Sequence, residues 1–357
     1  MTVNNQRNDI NKSETTSRFL KKINHTKMKR ILFTLLIVLI SLQFSFAQRK
    51  PVAVIFDSDM GPDYDDVGAI AILHALSDSG YAKILATVSS TKYEGVSGVL
   101  NAFNTYFNRP ELPVGVPKGK ALELKDWQFW TDTVLARYPH KIKKNAEAPD
   151  AVEIYRKILA SQPDHSVTII TVGFLTNLAN LLESKADRYS LLAGKELIGM
   201  KVKQLVSMAG GFPEGREFNL FSDSIASKIV YRNWPTRVLF DGFEIGAKIK
   251  SGLPLIKNNN IINSPVKDVF RISIPKAKED SVGRMSWDET AVLVAVKGFK
   301  PWFTLEKGRI IIESDGSNKW DDHGSGQFYL KFAQPVKKIA EVINTLMQHQ
   351  PKRKTNN

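Results

Sequence analysis

Five aspartates fall within the eleven residues FDSDMGPDYDD (56–66): Asp57, Asp59, Asp63, Asp65 and Asp66. Carboxylates crowded this closely raise one another's pKa and call for a compensating cation. A hard divalent cation such as Ca2+, which takes about six to eight oxygen ligands, supplies that charge. The spacing is not an EF-hand loop, because no glutamate stands at the twelfth position. One aspartate could cap the helix that follows; five exceed that need. Three other stretches carry similar groups. TVGFLTN (171–177) sets a glycine and Thr176 directly after an apolar run. SMAGGFPEGREFNLFSD (207–223) holds Glu217 and Asn219, whose i, i+2 spacing points both side chains to one side of an extended backbone. MSWDETAVL (285–293) puts Asp288 just before an apolar helix, where it would serve as an N-cap.

The elements that must position these groups alternate. VAVIF (52–56) precedes a helical pattern from about Asp66 to Ser77, and KILATVS (83–89) precedes GVLNAFNTYF (98–107). LPVGV gives a third strand. SVTIITV (166–172) precedes TNLANLLES (176–184), KQLVSMAG (203–210) precedes a helix from about Asp223 to Arg232, and TRVLF (236–240) precedes FEIGAKI. Continuous apolar strands alternating with helices predict an α/β fold, a mostly parallel central sheet with helices on both faces. Ligands of such sheets sit beyond the C-terminal strand ends, where all four stretches lie. Further on, GRIIIES (308–314) reads as a strand, DGSNKWDDHGSG (315–326) as a long loop and PVKKIAEVINTLM (335–347) as a closing amphipathic helix.

The chain has 357 residues and no cysteine, which excludes a disulfide framework, a thiolate metal site and a cysteine nucleophile. From Met28, MKRILFTLLIVLISLQFSFAQRK has a basic start, a short apolar core and small residues before a cut after Ala47. It reads as a secretory leader, and export to the periplasm or medium is expected, with no membrane anchor left after cleavage. Residues 1–47 form an extension plus leader, with Met28 an alternative start; residues 48–350 form one domain and 351–357 a basic tail. The formal charge of +14 falls to about +8 without residues 1–47, which hold eight Lys/Arg and two Asp/Glu. The remaining basic residues are scattered, so nucleic-acid binding is not expected.

Taken together, DSDMGPDYDD, GFLTN, MAGGFPEGREFNLFSD and WDETA resemble, in order, the motifs of the inosine–uridine-type nucleoside hydrolases, calcium-dependent N-ribohydrolases. The resemblance runs from about Pro51 to the closing helix. It implies that Asp59, Asp66, Asp288 and the backbone carbonyl of Val172 hold Ca2+, and that Asp59 also deprotonates the attacking water. It further implies that Asp65 binds the ribose 2′-hydroxyl, that Glu217 and Asn219 hold the 5′- and 3′-hydroxyls, that Met208 lines the sugar pocket and that Asp57 supports the ligands from behind. The implied substrate is a small nucleoside or riboside. Dimers or tetramers are common in the family, and no interface signature is legible here.

Four departures stand out. An inserted Pro62–Asp63 lengthens the aspartate loop, so Asp63 competes with Asp65 for the sugar. The family's asparagine after the second strand is Thr91. The loop between MAGG and EFN is short and lacks a family asparagine. The histidine that protonates the leaving base in one branch is Trp287, which can stack on a base but cannot protonate it. His323 is a distant alternative donor, with a surface-loop role the simpler reading; His74 reads as a packed helix residue. Two other functions stay open on the sequence alone. One is a ribosyl-binding protein with a calcium site and little turnover. The other is a haloacid-dehalogenase-type phosphatase, although Met60-Gly61 departs from that motif.

Overall fold

The apolar run after Pro51 forms β1 (Val52–Ser58), which feeds the aspartate loop and then α1 (Asp65–Asp78). β2 (Ala82–Ser89), α2 (Val96–Tyr106) and a two-residue β3 (Val114–Gly115) follow, then α3 (Trp130–Arg137), α4 (Ala151–Ala160) and β4 (Val167–Thr171). The middle of the chain comprises α5 (Thr176–Glu183), α6 (Gly194–Lys201), β5 (Val202–Met208), β6 (Glu214–Gly215), α7 (Phe218–Ser222), α8 (Ser224–Asn233) and β7 (Arg237–Asp241). The remainder comprises α9 (Phe243–Gly246), β8 (Lys250–Ser251), α10 (Leu253–Lys257), α11 (Pro265–Ser273), β9 (Arg284–Met285), α12 (Trp287–Lys297), β10 (Phe303–Ile312), β11 (Asn318–Asp321), β12 (Gln327–Phe332) and α13 (Val336–Met347). This computed structural model describes residues 50–351 and a few helical residues between 27 and 34. The expected leader cut after Ala47 and residues 352–357 of the basic tail fall outside the described residues.

Ten strands form one sheet in the order β3-β2-β1-β4-β5-β7-β12-β10-β11-β6. From β3 to β12 every neighbouring pair is parallel; β10, β11 and β6 are added antiparallel. The mostly parallel sheet is as expected. The C-terminal arm is not: the stretch read as a loop contains β11, and β12 follows it directly. These strands are short and half-exposed, so they lack the continuous apolar signal that marks a buried parallel strand.

Both faces of the sheet are covered. On one, Val67, Leu73, Val292 and Ile343 pack with Phe56 and Leu239; on the other, Tyr155, Leu178, Ile198 and Val230 pack with Ile55 and Phe240. Helix α1 is buried on nearly every side because it lies against both α12 and α13. The register places the strand ends side by side: Asp57 lies opposite Val88 and Thr171, Ser207 opposite Thr171, and Met208 opposite Asp241. Three of the four stretches expected to carry chemistry therefore leave the sheet on the same edge; the fourth, MSWDETAVL, follows β9 of a separate two-stranded sheet, β8-β9.

His74 is a packed residue of α1, as its position suggests. It is fully buried, stacks on Phe107 and lies 3.2 Å from Asn104 Oδ1 through Nε2 and 3.3 Å from Arg109 Nη1 through Nδ1. That pairing suits the neutral ring with its proton on Nε2. Burial, helped by the Arg109 charge, lowers its pKa from 6.5 to about 3. In the unfolded chain the ring protonates near 6.5, whereas in the folded chain it stays neutral. Its contribution to stability is therefore complete above pH 6.5 and is lost progressively as pH falls towards 3. Urea titrations of the native protein and His74→Gln should show their stability difference shrinking by about 1.4 kcal/mol between pH 7.5 and 5.5. A difference that does not change with pH would contradict a neutral His74.

Candidate active site

Beyond the strand ends lies a cavity of ≈ 250 Å³. Its walls include Asp59, Asp63, Asp65, Val172, Met208, Glu217, Asn219, Trp287 and Asp288. Four segments far apart in the chain thus meet at one hollow. A roomier surface hollow of ≈ 380 Å³ lies elsewhere, against Lys228, Arg309 and the Ile310–Ile312 run, and no carboxylate lines it.

The aspartate loop is fixed by its own polar groups. Ser58 Oγ donates to Asp66 Oδ1 at 2.5 Å, and the Met60 N–H donates to Ser58 Oγ at 2.9 Å. Tyr93 Oη donates to the Met60 carbonyl at 3.0 Å. Gly173 is required by close approach: a Cβ there would stand 2.5 Å from the Asp59 amide nitrogen. Behind the loop, Asp57 is fully buried and accepts from Tyr155 Oη at 2.8 Å and Asn177 Nδ2 at 3.2 Å. Burial outweighs these hydrogen bonds and pushes its pKa up to about 7. Asp57 does not line the cavity; it ties β1 to α4 and α5.

Asp59, Asp66 and Asp288 are each at most 4 % exposed. Burial comes first in raising the pKa of all three, and repulsion from neighbouring aspartates adds to it; for Asp66 the rise reaches about 6. Asp66 Oδ2 is buried and accepts no hydrogen bond. The Val172 carbonyl also points here, accepting from Asn219 Nδ2 at 3.2 Å. Three buried carboxylates with unmet charge, an orphaned carboxylate oxygen and a main-chain carbonyl suit a hard, oxygen-seeking divalent cation. Among the described residues no three acidic or histidine side chains are close enough together to hold a metal ion by themselves.

The residue that sequence reasoning missed is Arg284 on β9. Its guanidinium donates from Nη2 to Asp63 Oδ2 at 2.5 Å and to Asp65 Oδ1 at 2.6 Å, and from Nε to Asp65 Oδ1 at 3.1 Å. Nη1 reaches Asp280 Oδ2 at 3.4 Å, and the group lies over the rings of Tyr64 and Trp287. The Asp288 N–H takes the other oxygen of Asp65 at 3.3 Å. Both Asp65 oxygens are thus engaged within the protein. Asp63 keeps 29 % of its side chain exposed, against 2 % for Asp65. The arginine stands three residues before WDETA, a signal visible in the sequence only once its burial is known.

Several local expectations are corrected. Glu217 and Asn219 do not share one extended run: Glu217 is extended, as the N-cap of α7, whereas Asn219 lies inside that helix, and the Glu217 carboxylate accepts from the amides of Asn219, Leu220 and Gly210 at 2.7, 3.0 and 3.1 Å. Both side chains still reach the cavity, and burial pushes the Glu217 pKa up to about 7 against those donors. Asp288 sits inside the first turn of α12, where Ser286 is the N-cap. Thr91 does not line the cavity; its hydroxyl donates to the Leu122 carbonyl at 2.8 Å and accepts from the Leu124 amide at 3.2 Å. It therefore pins the loop that carries Trp127. His323 is 95 % exposed and outside the cavity wall. Trp287 does line the wall, but its indole N–H is already donated to the Phe243 carbonyl at 2.7 Å.

Replacing Arg284 with methionine should leave Asp65 and Asp280 buried without a counter-charge. Urea unfolding of the metal-free protein at pH 7.5 should show a loss of about 3 kcal/mol. A loss below ~0.5 kcal/mol, the scale of an exposed pair, would show that the guanidinium does not neutralise the cluster.

Comparison with known proteins agrees with this geometry. The family model described as inosine-uridine preferring nucleoside hydrolase matches residues 54–348. A pyrimidine-specific ribonucleoside hydrolase RihA of Shewanella sp. (strain ANA-3) is 26 % identical over 236 residues, 63 % of this chain and 66 % of that protein. The match thus spans about two thirds of the length of that relative. A plant nucleoside hydrolase, PpNRh1, superposes with a TM-score of 0.63 at 16 % identity, over 84 % of this chain and 99 % of that one. The inosine-uridine preferring nucleoside hydrolase of Bacillus anthracis gives 0.62 at 16 % identity, over 83 % and 99 %. These two likenesses concern the fold; the family assignment rests on the model match across most of the chain, and it displaces the phosphatase alternative. The chain belongs to the inosine-uridine preferring nucleoside hydrolase family.

Proposed function

We propose that this protein hydrolyses the N-glycosidic bond of ribonucleosides, releasing free base and ribose, with Ca2+ as its ion. The observation that carries this reading is the meeting of Asp59, Asp288 and Val172 with Glu217, Asn219 and Met208 around one cavity on this family's fold, with the orphaned Asp66 carboxylate oxygen buried behind its wall. Asp59, Asp66, Asp288 and the Val172 carbonyl would hold the ion, which when bound positions a water and lowers its pKa.

The chain's own groups do the rest. Asp59 takes the proton of the attacking water as its oxygen reaches C1′. The sugar acquires oxocarbenium character as the C–N bond breaks, and the surrounding carboxylates stabilise that charge. Glu217, its carboxylate fixed by three main-chain amides, accepts from a ribose hydroxyl beside Asn219, and Met208 gives the ring an apolar floor. Because Arg284 and the Asp288 amide engage both oxygens of Asp65, the partly exposed Asp63 meets the 2′-hydroxyl. Export is part of this reading, supported by the basic start and apolar run of residues 28–47.

Release of nitrophenol from 4-nitrophenyl riboside is the direct test. Turnover should require Ca2+, stop with a chelator and return when the ion is restored. Asp59→Asn should lower kcat by about 10³-fold, within the range for loss of a general base, and weaken Ca2+ binding in calorimetry. Unchanged turnover in Asp59→Asn would refute the assignment. Asp63→Asn should erode the preference for ribosides over 2′-deoxyribosides by about tenfold, the scale of one hydrogen bond to a charged group, and Asp65→Asn should do so less. The reverse ranking would return the sugar contact to Asp65.

A further inference from the structure

Helices α1 and α12 carry two of the carboxylates assigned to the cation, Asp66 and Asp288, and they lie directly against each other. They touch at two levels. At the first, the Asp288 N–H donates to Asp65 Oδ2 at 3.3 Å. The second lies three residues further along α1, on the same helix face, where Gly68 meets the side chain of Glu289. A Cβ on Gly68 would stand 2.7 Å from Glu289 Cδ and 2.9 Å from its Cγ, well inside van der Waals contact. The glutamate is thus seated on bare helix backbone, in room that the glycine leaves for it.

Glu289 is fully buried, which is rare for a glutamate. Ser251 Oγ donates to its Oε1 at 3.2 Å, while Oε2 accepts no hydrogen bond. That bonding does not offset the burial of a carboxyl. What the residue does supply is bulk between two helices, held at its tip by a braced strand. Ser251 belongs to β8, and Asn344 of α13 brackets that strand: its Nδ2 donates to the Lys250 carbonyl at 3.1 Å and its Oδ1 accepts from the Gly252 amide at 3.0 Å.

The distance between packed helices is set by the side chains at their contact. A smaller side chain at Glu289 would let α1 and α12 approach, and Asp66 and Asp288 would move with them. Oxygen ligands lie about 2.3–2.6 Å from Ca2+ and about 2.0–2.1 Å from Mg2+, so a shift of a few tenths of an ångström changes which ion fits. We propose that the Gly68–Glu289 contact sets the spacing of Asp66 and Asp288 and thereby selects Ca2+ over Mg2+. Glu289 does not line the cavity, so it acts as a positioning residue through its neighbour Asp288. This inference rests on the cation reading above.

The test is the ratio of Mg2+ to Ca2+ dissociation constants, measured by titration calorimetry on the full, metal-stripped protein without substrate. Glu289→Ala should lower that ratio about tenfold, the lower end for residues that support metal ligands, whereas Glu289→Gln, which keeps the bulk, should hold it within about twofold. A general loss of stability would not favour one ion over the other, so an unchanged ratio in Glu289→Ala would overturn the proposal. So would an equal drop in Glu289→Gln, which would assign the effect to charge. Gly68→Ala approaches the contact from its other side: Ca2+ should bind about tenfold more weakly, and most of that loss should vanish in Gly68→Ala/Glu289→Ala, where the obstructing side chain is gone. No loss in Gly68→Ala, or the same loss in both backgrounds, would also overturn it. A native protein that binds Ca2+ no more tightly than Mg2+ would refute the selection alone. One that binds neither ion would refute the cation reading and this inference together.

Discussion

The constraint on which the rest of this molecule depends is the repulsion among carboxylates that the parallel sheet brings to one edge. Asp59, Asp63, Asp65, Asp66 and Asp288 are drawn from two loops that meet beside the ends of β1 and β5, and burial removes the water that would otherwise screen them. The protein's answer differs across the cluster. Arg284, lying over the rings of Tyr64 and Trp287, offsets part of the outer charge on Asp63, Asp65 and Asp280. Among the described residues no basic side chain pairs with the inner three, Asp59, Asp66 and Asp288. The arrangement separates carboxylates that share one internal guanidinium from buried carboxylates that have none.

Much of the fold was legible because it rests on long apolar runs. β1, β2, β4, β5 and β7 are buried parallel strands whose sequences are nearly continuous hydrophobics, and α1, α2 and α5 follow β1, β2 and β4 at short spacing. The antiparallel arm was only partly legible. β10 showed itself through GRIIIES, but β11 is four residues of mixed polarity within a stretch rich in Gly, Ser, Asn and Asp. Its strand character comes from pairing with β10 and β6, and local propensity carries little of that.

The candidate site divides in the same way. Residues joined to a strand end by sequence, such as Asp59, Asp66, Val172 and Met208, were placed by the alternation of elements alone. Roles that depend on a distant partner were not. Asp65 looked free until Arg284, more than two hundred positions away, was seen to hold it. Asn219 looked extended because nothing local announces a helix as short as α7. Thr91 resembled a ligand position by order in the chain, yet its hydroxyl closes a turn with Leu122 and Leu124. Side-chain pairing across long sequence separation is what a single sequence does not record.

The short strand β6 has a further consequence. It pairs with β11, and Asn318 clamps the same loop through the Gly211 amide at 3.0 Å and the Gly211 carbonyl at 2.8 Å. The loop leading to Glu217 is therefore anchored by residues a hundred positions later, and Arg284 and Asp288 also come late. During synthesis the aspartate loop emerges long before its neutralising arginine or the clamp on its opposite wall. The pocket is thus among the last parts of the molecule to become whole: a nascent chain ending before β9 carries the acidic loop without Arg284 or Asp288, and one ending before β11 still lacks the Asn318 clamp.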